Sequence, residues 1–166
     1  MSTIYFSHPA CLDHDPGDGH PERPDRLRAV ATALEGAEFD GLVRRQAPLG
    51  EHGDILRVHS AEYVEAVLAA VPTEGRAFLD PDTAVSPGSG QAALRAVGAV
   101  TAAVDAVAKA EASNAFCAVR PPGHHAEPAR AMGFCLFNNA AIGALRARQA
   151  HGFGKIAVID FDVHHG

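Results

Sequence analysis

Apolar and polar positions along this chain keep two rhythms that take turns. A short apolar run from Thr3 to Ser7 predicts a strand. After Pro24, residues Leu27, Val30, Ala31 and Leu34 recur at i, i+3, i+4 and i+7, which is one face of a helix. Gly36 and Gly41 bracket its exit, and Leu42 to Ala47 predicts a second strand. Ser60 is an expected N-cap, and Val64, Val67, Leu68 and Val71 then mark a further helix that stops at Pro72. The stretch "LDPDTAVSPGSG" is expected to be a loop, on its Pro, Gly, Asp and Ser content. A long Ala-rich helix follows, with Leu94, Val97, Val100, Val104 and Val107 as its apolar stripe. Its many small residues predict close packing against a sheet.

Ala115 to Val119 predicts another strand, followed by a long loop rich in Gly, Pro and His. A helix from about Ala140 to Gln149 then meets a stop at Gly152, and the apolar run Ile156 to Ile159 predicts a buried final strand. Strand, crossover helix and apolar strand in succession predict an α/β domain with a mostly parallel sheet. Ligand sites in such sheets lie beyond the carboxyl ends of the strands. Both dense polar clusters fall there: "RPPGHHAE" after 115–119, and "DFDVHHG" after 156–159.

Bulk properties narrow the class. The 166 residues are 47% hydrophobic and 20% charged, so one domain with a sizeable core is expected. No run of 18 consecutive apolar residues occurs, so no membrane contact is expected. The first residues lack the charged start and apolar stretch of a secretory signal. Three cysteines without a Cys-x-x-Cys argue against a disulfide framework and a Cys-rich zinc site, and a cytoplasmic location is expected. A net charge of −6 with no basic cluster argues against direct nucleic-acid binding.

The ten histidines include two adjacent pairs, one in each cluster. On a strand, Asp160, Asp162 and His164 would share a face. Asp162 and His164 are donor types of a catalytic zinc, which keeps one position open for water. Asp160 could orient a histidine or hold a monovalent cation. The plain alternative is a turn-capping carboxylate and a solvated histidine pair. His124 and His125 follow Pro121, Pro122 and Gly123. Such a pair can divide labour, one imidazole moving protons while a carboxylate holds the other. Loop histidines with structural hydrogen bonds are the alternative. Phe134 in "GFCLFNN" could line a pocket or pack in the core. Asp80 and Asp82 could meet a substrate or simply form a turn. His20 and Arg26 read as helix-start chemistry, with Pro24 near the first helical position.

Taken together, "AVRPPGHHAEPARAMGFCLFNN" and "IAVIDFDVHHG" resemble the histone deacetylase family, nearest its class II type and the bacterial deacetylase-like and acetylpolyamine amidohydrolases. "HPERPDRL" and "HSAEYVEAV" are similar to that family's N-terminal segments. The resemblance implies an arginase-like three-layer α/β fold with a mostly parallel sheet, and hydrolysis of N-acetylated amines. Its implied partners are acetyl-lysine in proteins or acetylated small amines such as polyamines. By position it implies zinc bound by Asp162 and His164. It implies His124 and His125 as the catalytic pair, with His125 the proton shuttle. Asp160 is the implied partner of His124, beside a structural potassium ion. Gly133 and Phe134 match the wall around the lysine stem. Asp82 is a looser match to a residue gripping the substrate backbone, and Arg26 to an arginine behind the zinc.

In that family the chain continues past "DVHHG", and the continuation carries a third zinc ligand, an aspartate, and a carbonyl-polarising tyrosine or its substitute. The expectation is therefore the N-terminal part, residues 1–166, of a single deacetylase domain, cut after an inner strand and inactive alone. The competing expectation is a non-catalytic module that binds a protein partner. A homo-oligomer stays open under both.

Overall fold

A computed structural model describes residues 2–166. Its elements, in chain order, are β1 (Thr3–Ser7), α1 (Pro24–Ala33), β2 (Leu42–Gln46), α2 (His52–Ile55), α3 (Ala61–Ala69), β3 (Ala77–Asp80), β4 (Thr83–Val85), α4 (Ser89–Ala108), β5 (Asn114–Cys117) and α5 (Asn139–His151). β1 runs parallel to both its neighbours, giving the order β2-β1-β5. The fold class is thus α/β with a parallel sheet, as the alternation of apolar runs predicts.

β1 is the central strand, and Ile4, Tyr5 and Phe6 are all buried, so both its faces are covered. Ile4 and Phe6 meet Ala99, Ala103 and Ala106 of α4. The Tyr5 face stacks on Phe116 of β5, with the Arg44 guanidinium over the ring, and α1 borders it through Ala31. A second cluster, built from Ile55, Val64, Val67, Val97, Phe137 and Ile142, ties α3 and α5 to α4.

The α4 helix packs on an alanine face: Ala92, Ala96, Ala99, Ala103 and Ala106 are buried, whereas Val107 of the predicted stripe is exposed. Small side chains let the helix lie close to the sheet. Gly143 does the same where α5 crosses α4, since a Cβ there would fall 2.6 Å from Val100 Cγ1. At the same crossing, Arg146 donates to Asp105 of α4 and Asp54 of α2. By length and hydropathy alone α4 could cross a bilayer, a property it shares with the core helices of water-soluble folds.

Two expectations fail. The stretch read as a loop from Leu79 contains the antiparallel β3–β4 hairpin, turning at Pro81-Asp82 before α4 starts at Ser89. Its second strand is three residues long, too short for a period to register, though all three are buried. The predicted buried strand at Ile156–Ile159 is not a strand: Val158 is 62% exposed and Ile159 84%. Among the described residues no strand pairs with this run. An apolar run becomes a central strand only when neighbours satisfy its backbone groups and bury its side chains. The α1 face is also shallower than its spacing predicts, with Leu27, Ala31 and Leu34 only half-buried.

Candidate active site

β1 and β5 deliver their carboxyl ends to the same edge of the sheet, and the loops that follow wall a cleft of about 800 Å³. Its lining gathers Asp80, Asp82, His124, His125, Gly133, Phe134, Asp162 and His164, all singled out in the sequence. Asp160 touches the site through His124, whose Nδ1 lies 2.8 Å from Asp160 Oδ2. Arg26 also lines the cleft, 3.5 Å from the Glu22 carboxylate.

The histidine loop is clamped from its far side. Asn138 caps α5 by accepting from the Ala141 amide. Its Nδ2 also donates to the carbonyls of Ala126 (3.0 Å) and His124 (3.3 Å). One side chain therefore starts the helix and holds the loop. The two imidazoles stand 4.2 Å apart, tilted by 50°.

Gly133 and Phe134 both have positive φ, +56° and +68°. Glycine is required at 133 for a second reason: a Cβ there would fall 2.5 Å from His125 Cδ2. The turn thus brings its backbone onto the His125 ring. Phe134 is held in this uncommon conformation by its amide, which donates to the buried Thr83 hydroxyl at 3.1 Å. The His20 ring packs edge-on against Phe134 at 4.6 Å. The β3–β4 turn completes the rim. Asp80 accepts from the Asp82 amide and lies 3.3 Å from Arg130, and these contacts hold its carboxyl below the ordinary value.

Residues 160–166 wind back on themselves. Asp160 Oδ1 accepts from the Asp162 amide (3.1 Å), Asp162 Oδ1 from the His164 amide (2.9 Å), and Asp160 Oδ2 from the Gly166 amide (3.0 Å). Two successive Asx turns replace the strand on which the three side chains were to share a face. The Gly166 amide, the His124 ring and the Asp162 amide together hold the Asp160 carboxyl down at about 2. Being ionised, Asp160 can only accept, so His124 Nδ1 is the donor in this bond.

Asp162 and His164 provide two donor side chains for a metal. Among the described residues, no three His, Cys, Asp or Glu side chains converge closely enough to hold one. These residues alone therefore do not make up a three-donor zinc centre.

Sequence reasoning passed over Thr83, Asn138 and a buried group behind the loop formed by Arg120, Glu22 and His14. Arg120 and Glu22 stand inside the quoted motifs "RPPGHH" and "HPERP", but charged residues in Pro-rich loops read as solvated.

Known proteins resemble this chain over most of its length. The family model described as the histone deacetylase domain matches residues 20–166. A histone deacetylase-like amidohydrolase of Pseudomonas aeruginosa is 41% identical over 149 residues, covering 89% of this chain and 39% of its own length. Histone deacetylase 15 of Arabidopsis thaliana is 41% identical over 155 residues, covering 89% of this chain and 27% of its own. The crystal structure of an HDA15 HD domain superposes with a TM-score of 0.85 at 35% identity, over 90% of this chain and 44% of that one. The chain thus spans less than half the length of each.

Proposed function

The chain belongs to the histone deacetylase family, and on that footing we propose that it carries the proton-transfer side of a deacetylase active site. The observation behind this reading is the tandem histidine pair at the cleft, with His124 bonded to an ionised Asp160. We read residues 1–166 as the N-terminal part of a longer deacetylase domain, because the relatives extend well beyond the matched region.

The reaction proposed for the whole protein is hydrolysis of an N-acetylated amine, either acetyl-lysine in a protein or an acetylated small amine. His125 takes a proton from the attacking water and returns it to the departing nitrogen. Asp160 keeps His124 oriented and offsets positive charge that develops on the pair. Gly133 and Phe134 form one wall for an extended apolar stem, and Asp82 faces the substrate backbone from the rim. Zinc dependence of the whole protein belongs to this reading, with Asp162 and His164 as two donors and the remainder outside these residues. A structural potassium ion near Asp160 belongs to it on the resemblance alone. Cytoplasmic residence is part of it too, supported by three free thiols.

The test is made in the full-length protein with an acetyl-lysine peptide and acetylated polyamines as substrates. His125→Ala should lower kcat by about 10²–10⁴-fold with metal content unchanged. Asp162→Ala should empty the metal site, whereas Asp160→Asn should cost on the order of 10–100-fold in activity or affinity. Full activity in His125→Ala would end the role assignment, and equal metal loss in both aspartate variants would end the division between them.

A further inference from the structure

The deacetylase reading leaves unused a buried polar group at the root of the histidine loop, which reaches the cleft lining at Glu22. Arg120 and Glu22 are each 3% exposed. Arg120 Nε donates to Glu22 Oε1 at 2.6 Å, and Nη2 to Glu22 Oε2 at 2.7 Å. Nη2 also reaches the Glu22 carbonyl at 3.0 Å, while Nη1 donates to the carbonyls of Cys11 (2.9 Å) and His14 (3.0 Å). Nε and both terminal nitrogens of the guanidinium are engaged, all on the connection between β1 and α1.

Glu22 Oε2 also lies 3.7 Å from His14 Nε2, and His14 Nδ1 is 2.7 Å from Ser89 Oγ. Carboxylate, imidazole and hydroxyl stand in the order of a nucleophile relay. Yet His14 is 1% exposed and Ser89 is fully buried, so no substrate reaches the hydroxyl. The group is not a second catalytic centre.

Stability does not account for it either. A buried ion pair is often matched or bettered by apolar side chains of the same volume, because desolvation offsets the attraction. What a bidentate Arg–carboxylate pair supplies beyond that is orientation, since its two parallel bonds fix a plane. Arg120 is the last residue before Pro121-Pro122-Gly123-His124, and the two prolines leave few free dihedrals between them. Fixing the Arg120 fork therefore fixes where the histidines start, and Asn138 fixes where they end.

We propose that the Glu22–Arg120 pair sets the position of His124 and His125, so that both are positioning residues of the site. The proposal rests on the deacetylase reading only for what the histidines do.

Its test needs neither turnover nor metal. The Gly133 α-protons lie against the His125 ring edge, which makes the nuclear Overhauser contact from Gly133 Hα to His125 Hδ2 a ruler for the pair. It would be read in the 166-residue chain for Glu22→Gln, for Arg120→Lys, and for the double variant Glu22→Leu/Arg120→Met, which removes both charges. Asp105→Asn serves as the comparison, because it loosens the α4–α5 ion pairs far from the loop. The contact should vanish in both single variants and in the double variant, even where the double variant recovers wild-type stability. It should persist in Asp105→Asn at equal folded fraction. Its persistence in the double variant would overturn the proposal, and so would its loss in Asp105→Asn. If the single variants fail to fold, the double variant alone decides.

Discussion

Two polar groups flank the histidine loop, and they are held in opposite ways. Behind it, Arg120, Glu22, His14 and Ser89 are buried, joined by bonds between residues 75 to 109 positions apart. In front of it, Asp160, Asp162 and His164 bond mostly to amides two to six positions away, and the Asp160–His124 bond ties them back to the fold. Both contain carboxylate and imidazole, and only the rear one adds an arginine and a serine. Burial separates them: a buried polar atom must find a partner in the fold, whereas an exposed one can use its own backbone or water. The rear group is complete within these residues. The front group has donors in place but lacks the surroundings that would fix them.

The largest effect should come from the rear. Arg120→Met leaves the Glu22 carboxylate buried without its partner and should cost about 3–5 kcal/mol in urea unfolding. Asp160→Asn should leave the unfolding midpoint where it is. Similar losses in the two variants would erase the contrast.

Acid should divide the regions next. Burial, with the nearby Arg120 and His20 charges, pushes His14 down to about 4 from an ordinary 6.5. The unfolded chain therefore takes up this proton first, and stability falls as pH drops from 6.5 toward 4. The full loss is about 3 kcal/mol, from about 1.4 kcal/mol per pKa unit. His14→Gln should flatten that limb of a stability-versus-pH curve.

A smaller effect sits at the junction. Gly133→Ala combines positive φ with an overlap on His125, and should cost about 1–3 kcal/mol with a displaced His125 resonance. An unmoved resonance would mean that the 133–134 turn does not register the histidine.

The smallest lies in strong acid. Asp105 is held at about 2, first by the Arg146 hydrogen bonds and then by His151, against an ordinary 3.8. A depressed carboxylate lends stability above its unfolded value and loses it as pH falls through the folded one. A shallow further decline between about pH 4 and 2 should therefore be absent in Asp105→Asn.

Much of the fold is legible in the chain because it rests on repeated small effects. The Ser60 cap, the α3 face and the parallel strands follow from spacing that recurs over several residues. The α4 helix was legible as a helix, and its small residues pack closely on the sheet as expected. Of the apolar stripe, Val97 is buried in the core whereas Val107 is exposed. The hairpin at 77–85 escaped because three residues hold no period. The run at 156–159 misled because hydrophobicity records what a segment could bury, not whether a neighbour is there to bury it. In the site, the histidines, aspartates and "GF" turn were readable as motif residues. Arg120 and Glu22 were not, because only the folded chain shows that they leave water.

The contrast between a finished rear and an unfinished front is tested most directly by titrating the 166-residue chain with zinc in a calorimeter while following acetyl-lysine hydrolysis. The account predicts weak, substoichiometric binding and no chelator-sensitive turnover, since Asp162 and His164 supply two donors and no three converge among the described residues. Tight one-to-one zinc binding by a monomer, with hydrolysis that a chelator abolishes, would contradict it.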